Sequence, residues 1–399
     1  MSGNKQLYFW FAANYFLWSF SLSLLGNNIP LNFIAITLFY VFFEIISDRK
    51  ISRKALKFSI ALCTFLLLHL ITSSLGPCET LFRKSLFGIF SFSTLFFIGA
   101  DIGFKSRDKD WIGLVKLSNY LILISLIGLI IEFLLPDYFL STSHYREKGT
   151  LTGLFHSEPS HFAFSIFPFI GISILEGLKS NKFQFFLMPS LCILFSLSTT
   201  MLGLLLSLFS WLAITQKKII IRIIFLVSLI LTTLLLFTGF FPNKYQEAIS
   251  GRIEGFFHPE SSDNLSGVVL NQGWIDLITN IKRSYGFGIG FNRMGCDPSI
   301  ESEVREIIQG FIPEGGLNNF DGSFMISKLI SDLGFFAVLF LSYLFFLVCS
   351  SNKKNTVVAL KVTVLFIILS SFFIRSGGYF SCALLLLIPI VFSLKNKQC

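Results

Sequence analysis

Apolar runs close to the length of a bilayer crossing recur along almost the whole chain, and no other feature limits its fold so strictly. A helix rises about 1.5 Å per residue, so ~20 apolar residues cross a hydrocarbon core about 30 Å thick with every backbone group bonded internally. The runs fall at 7–25, 29–46, 58–75, 85–103, 113–135, 160–177, 184–199, 201–216, 219–240, 326–349, 357–373 and 378–394. They predict an all-α polytopic membrane protein with about twelve transmembrane helices. Composition points the same way: 53% of the 399 residues are hydrophobic and only 14% are charged, against about 25% charged in a soluble domain.

Cations orient the chain, because short loops rich in Lys and Arg stay in the cytoplasm. Lys5, DRKISRKALK (48–57), KSRDK (105–109), Lys179 with Lys182, QKK (216–218), NKK (352–354) and KNK (395–397) all fall on one side of the twelve-span reading. Both termini are therefore expected in the cytoplasm. The net charge of +9 is a product of this topology and gives no reason to expect nucleic acid as a partner. The first run lacks a polar, small-residue region after it, so no cleavable signal peptide is expected. Seven cysteines show no CxxC and no metal-ligand spacing. Cys78 and Cys296 fall on the outer side, where a disulfide between them stays open.

Three regions follow: helices one to nine over 1–240, one large outer loop over 241–325, and the last three helices over 326–399. Within the loop, 270–284 carries Trp274, Leu277, Ile278 and Ile281 at helical spacing, and 300–311 carries Val304, Ile307, Ile308 and Phe311. Two short amphipathic helices are predicted there, lying at the bilayer interface or on the protein surface. After the first of them, SYGFGIGFNRMG (284–295) reads either as a flexible turn or as a backbone nest for an anion, with Arg293 beside it. DKD (108–110) matches an acid-x-acid metal pattern, but its cationic neighbours suit a cytoplasmic anchor.

The sharpest cluster is HSEPSH (156–161), at the mouth of the run 160–177. Pro159 fits the first turn of a helix, and Ser157 or Glu158 could cap its free N–H groups. Capping leaves His156 and His161 unexplained and does not require a carboxylate. Arg146, Arg252, Arg293 and Arg375 form an outer set of guanidinium groups, whose planar fork suits a lipid-linked phosphate or pyrophosphate. Asp321 lies in the turn NNFDG, while Lys328 and Asp332 sit four apart in the apolar run beyond, suited to pairing on one helix face.

SGR (250–252), Trp274, the GxGxGFN turn (286–292) and SDLGFF (331–336), on this architecture, together resemble the O-antigen polymerase and ligase superfamily. EPSHFA (158–163) and DGSF (321–324) resemble its polymerase branch, the Wzy-type enzymes of lipopolysaccharide biosynthesis. Where the ligases carry a His-Asn pair, this chain reads NNFDG, a departure that favours polymerase over ligase.

The resemblance implies a multi-pass glycosyltransferase of the bacterial inner membrane, working on the periplasmic face without metal, cofactor or nucleotide sugar. It would move the growing polysaccharide from undecaprenyl pyrophosphate to the non-reducing end of a lipid-linked repeat unit, with membrane lipids and a chain-length regulator as partners. On that reading Glu158 is the first choice of base and Asp321 the second, with His161 or His156 tuning Glu158. Arg252, Arg293 and Arg375 would bind the pyrophosphate, with Arg146 as a further candidate. The rival class is a transporter or flippase of lipid-linked sugars.

Reporter fusions test the orientation. A fusion at residue 52 is expected to report cytoplasm and one at residue 270 periplasm; a cytoplasmic signal at 270 would overturn the twelve-span reading.

Overall fold

The computed structural model describes residues 4–24, 27–47, 51–73, 82–135, 151, 156, 158–196, 198–216, 218–237, 243–295, 302–311, 323–351, 355–375 and 378–395. Among them are sixteen α-helices and one two-stranded hairpin. Five helices are long and apolar enough to cross a membrane: α3 (Arg53–Ser73), α4 (Phe82–Lys105), α5 (Asp108–Leu134), α6 (Pro159–Ser180) and α15 (Thr356–Ile374). The chain is thus a mostly helical, membrane-embedded protein. Shorter apolar helices accompany them: α2 (Leu31–Ser47), α7 (Gln184–Phe195), α8 (Thr199–Thr215), α14 (Phe335–Ser350) and α16 (Cys382–Lys395). α9 (Ile219–Phe237) presents Ile219, Ile220, Ile223, Ile224 and Ile230 outward, the surface expected of a helix facing lipid.

Two of the predicted runs are not single helices. In the run 7–25, α1 (Asn4–Leu17) ends early, and β1 (Ser21–Leu24) pairs antiparallel with β2 (Asn27–Pro30). The reason is local, since Ser19, Phe20, Ser21, Leu22, Ser23 and Leu24 alternate with a period of two, which suits a strand better than a helix. The run 326–349 is broken into α13 (Met325–Leu333) and α14 at Gly334, whose φ of +57° is left-handed. A side chain could not stand there, because a Cβ would lie 2.1 Å from the carbonyl oxygen of Gly286.

α6 is the axis of the molecule. Phe162, Phe164, Ile166, Phe167, Phe169, Ile170 and Ile172 are all buried, so the helix is apolar all round. It packs against α5, α7, α8, α15 and α16. Buried polar ties fix its neighbours: Trp18 Nε1, just past the end of α1, donates to Ser165 Oγ (2.6 Å), and Trp211 Nε1 on α8 donates to Thr363 Oγ1 on α15 (2.8 Å). On α4, the buried Asp101 accepts from Tyr40 OH (2.9 Å) and Ser52 N–H (2.7 Å), and pairs with Lys105 (2.5 Å), which ties α2 and the start of α3 to α4.

The segment between α9 and α13 builds a small helical unit. α10 (Asn243–Phe257) and α11 (Leu265–Arg283) form a hairpin around a 3-10 turn, Pro259–Ser261, and α12 (Glu303–Phe311) packs on α11. α11 and α12 are the two amphipathic helices expected from the sequence. Val268, Val269, Val304 and Ile308 form their own core, and Arg305 pairs with Asp276 at 3.2 Å. α10 and α11 approach through Gly255 and Gly267, so closely that a Cβ on Gly267 would lie 2.4 Å from the Arg252 carbonyl oxygen. Ser323 and Ser327 then donate to the carbonyls of Val269 and Gly273, both at 2.6 Å, fixing α11 against α13.

Gly267→Ala is expected to push α10 away and cost about 1–3 kcal/mol, as overpacking does. Thermal unfolding in detergent checks this, with Gly310→Ala as control. Gly310 has open space around it, and Ala should there gain a few tenths to ~1 kcal/mol.

Candidate functional site

Pro159 opens α6, with Glu158 in extended backbone (φ −138°, ψ 147°) as the residue before it. The side chain of Glu158 makes no capping bond to the helix. It turns instead to Arg375, whose Nη2 donates to Oε2 at 2.6 Å, while the Ser160 hydroxyl donates to the same oxygen at 3.0 Å. His161 Nε2 stands 3.9 Å from that oxygen. The carboxylate is therefore engaged by charge, and the capping explanation of Glu158 fails.

Arg375 is the residue at which α15 ends, and its carbonyl accepts from Met325 N–H (3.2 Å) at the start of α13. Arg252 comes from α10 and donates through Nη1 to Thr199 Oγ1 at 2.7 Å. Thr199 begins α8, where Ser198 Oγ accepts from Met201 N–H. The first turns of α6 and α8, the last turn of α15, the start of α13 and the middle of α10 thus meet at one end of the bundle. Two helix N-termini add partial positive charge to the two guanidinium groups there.

Electrostatics follow from the arrangement. Burial alone would raise the Glu158 carboxyl, but the charges of His161 and Arg375 and the hydrogen bonds from Ser160 and Arg375 outweigh it and hold Glu158 below its usual range. Burial, then the neighbouring charge of Arg375, pushes Arg252 down to about 10, so it stays cationic at neutral pH. Among the described residues no carboxylate pairs with Arg252, and Arg375 Nε has no partner. Counted over the described residues, the cluster holds two guanidinium groups and one carboxylate. Glu158, Arg375 and His161 keep 28%, 19% and 20% of their side chains exposed, so a ligand can reach them.

His156 belongs to a different environment. Its ring lies among Tyr15, Trp18 and Phe162, at centroid distances of 5.3, 6.5 and 5.6 Å, and neither ring nitrogen has a partner among the described residues. Burial, then the charge of His161, lowers it to about 3. It is a neutral packing ring, so of the two histidines only His161 stands where it can tune Glu158.

Arg293 is also set apart from this cluster. It is fully buried, Nη1 donates to the Ser73 carbonyl at 3.1 Å, and Nε and Nη2 have no partner among the described residues. The glycine turn that carries it does form a nest, but the chain's own Asp332 fills it. Asp332 accepts from the N–H groups of Asn292 (3.0 Å), Arg293 (3.3 Å) and Met294 (2.9 Å) and from Tyr379 OH (3.0 Å), with Lys328 Nζ at 3.9 Å. Gly286, Gly288 and Gly290 take φ of +86°, +88° and +109°, and a Cβ on Gly288 would lie 2.5 Å from the Asp332 carbonyl oxygen. The alternating glycines thus serve an internal anion, and the reading of this turn as an open anion site gives way to a structural one.

The same contacts steady Arg375. Arg375 and Tyr379 are each pinned to α13, one through Met325 N–H and the other through Asp332. The DKD pattern resolves locally, for Asp110 accepts from the Arg107 N–H (2.8 Å) at the start of α5. Arg146, Asp321, Cys78 and Cys296 lie outside the described residues. Ser160 and Thr199, which hold Glu158 and Arg252, escaped sequence reasoning. A Ser-Thr-Thr run before an apolar stretch signals a helix start, but nothing local signals an arginine arriving from α10.

No family model, curated protein or solved structure matches the chain.

Asp332→Ala would leave three backbone N–H groups and a tyrosine hydroxyl without their acceptor and remove the negative charge beside buried Lys328. A loss of about 3 kcal/mol or more is expected, read as a lowered unfolding temperature in detergent, whereas Asp263→Ala on the exposed surface should change it little.

Proposed function

We propose that this protein is a polysaccharide polymerase, a glycosyltransferase acting at the outer face of a bacterial inner membrane on sugars carried by undecaprenyl pyrophosphate. The reading takes the chain as about twelve spans with cytoplasmic termini and the 241–325 segment in the periplasm. What carries it is one observation: Glu158, His161, Arg252 and Arg375 converge at the ends of apolar helices, the carboxylate bonded to Arg375 and Arg252 within reach of the Arg375 charge.

Each group has a task in that chemistry. Glu158 takes the proton of the acceptor sugar hydroxyl as the oxygen attacks the anomeric carbon of the donor. The anomeric C–O bond to the pyrophosphate breaks, and its electron pair leaves with the lipid pyrophosphate. Arg252 and Arg375 stabilise that developing anion, the kind of term that preorganised cations supply best. A single displacement inverts the anomeric centre, and no metal is required. Arg293 has no direct part in this account, because its guanidinium is buried on the Ser73 carbonyl.

The test is polymer formation by purified protein supplied with lipid-linked repeat units. A ladder of lengths is expected, with Glu158→Gln at least ~100-fold slower and Arg252→Lys at least ~10-fold slower, because lysine keeps charge but loses the two-point fork. Movement of the repeat unit across the bilayer without a ladder would establish the transporter instead.

A further inference from the structure

The ion pair that identifies the site also obstructs it. Glu158 Oε2 accepts from Arg375 at 2.6 Å and from Ser160 at 3.0 Å, and a carboxylate held by a guanidinium charge is a weaker base than a free one, whichever of its two oxygens meets the proton. Arg375, needed for the leaving pyrophosphate, is committed to that carboxylate. We propose that the Glu158–Arg375 pair is a latch opened by the diphosphate: the incoming donor draws the Arg375 guanidinium off Glu158, and the carboxylate, released from the cation, becomes the stronger base. This inference rests on reading the site as a diphosphate-binding glycosyltransferase.

Three observations make the exchange feasible. The Arg375 backbone is held by Met325 and Ser371, so its side chain can swing without moving α15, and among the described residues its Nε carries no bond that must be broken. Arg252 stands close enough for Arg375 to depress its proton affinity, so an anion bridging the two relieves their repulsion, which Glu158 bonded to Arg375 alone does not. A phosphoryl group offers a guanidinium two parallel hydrogen bonds, whereas the Glu158 pair uses one nitrogen and one oxygen.

The exchange also implies a ligand class. Two guanidinium groups arriving from α10 and α15 suit an anion with two phosphoryl groups, one facing each fork. Once Arg375 has left, Glu158 retains the Ser160 hydroxyl and His161, loses a cationic neighbour and binds a proton more readily. The base is thereby armed when the donor is seated.

Competition for Arg375 gives a measurable signature. Full-length protein in detergent is titrated with inorganic pyrophosphate and with farnesyl diphosphate, and with inorganic phosphate for comparison. Glu158→Gln and Glu158→Asp are each expected to bind both diphosphates about five-fold tighter than the unaltered protein, the value of one half-buried ion pair. Aspartate keeps the charge but shortens the reach, so a gain there reports the broken pair and not a lost negative field. In an Arg375→Ala background the same substitutions should change affinity less than about two-fold.

A gain that persists undiminished without Arg375, or no gain in Glu158→Asp, would overturn the latch while leaving the pyrophosphate site intact. Unchanged diphosphate affinity in both Arg252→Ala and Arg375→Ala would overturn the site reading itself. Phosphate binding as tight as pyrophosphate would overturn the requirement for two phosphoryl groups.

Discussion

Every charge held among apolar helices must find a partner, because an unpaired one costs several kcal/mol in a medium without water. The structure is organised around the places where this demand is met. Asp101 meets it with a tyrosine, a backbone N–H and a lysine, which joins α2, α3 and α4. Asp332 meets it with three backbone N–H groups and Tyr379, which joins α13, the glycine turn and the approach to α16. Glu158 meets it with Arg375, which joins the start of α6 to the end of α15. Each acid draws distant segments together.

The last two of these are mechanically linked. Arg375 and Tyr379 lie four positions apart and both rest on α13, one through Met325 and the other through Asp332. Seven residues of helix separate Met325 from Asp332, about 10 Å, so a rigid strut spans the distance between the internal nest and the candidate site. α13 is in turn held against α11 by Ser323 and Ser327, and α11 against α10 by the Gly255–Gly267 approach, which sets the position of Arg252. The loop helices thus position one arginine and the last helices the other, with α6 supplying the carboxylate that the second one bonds.

Much of this was legible where the signal is local. The five long crossing helices, the paired Lys328 and Asp332, the two amphipathic helices and Pro159 at the first turn of α6 follow from runs, spacings and single residues. Local reading misled where two patterns overlap. The Ser-Phe-Ser-Leu alternation after Leu17 is as apolar as a helix but has a strand's period, and Gly334 inside an apolar run breaks it because the backbone of Gly286 occupies the space of a side chain.

The sequence by itself determined that this chain is a helical membrane protein and which side chains were candidates for chemistry, because hydropathy and residue type act within a few turns of helix. Only the tertiary structure decided which of those residues meet. Glu158 and Arg375 stand 217 positions apart, and Arg293, identical in chemistry to Arg252 and Arg375, is buried against Ser73 while Arg375 bonds Glu158 and Arg252 the Thr199 hydroxyl. His156 and His161 part in the same way, one into an aromatic cage and one toward the carboxylate. Side-chain type fixes what a group can do, but its partner is fixed by the packing of whole helices, a sum over many contacts that no short stretch of sequence contains.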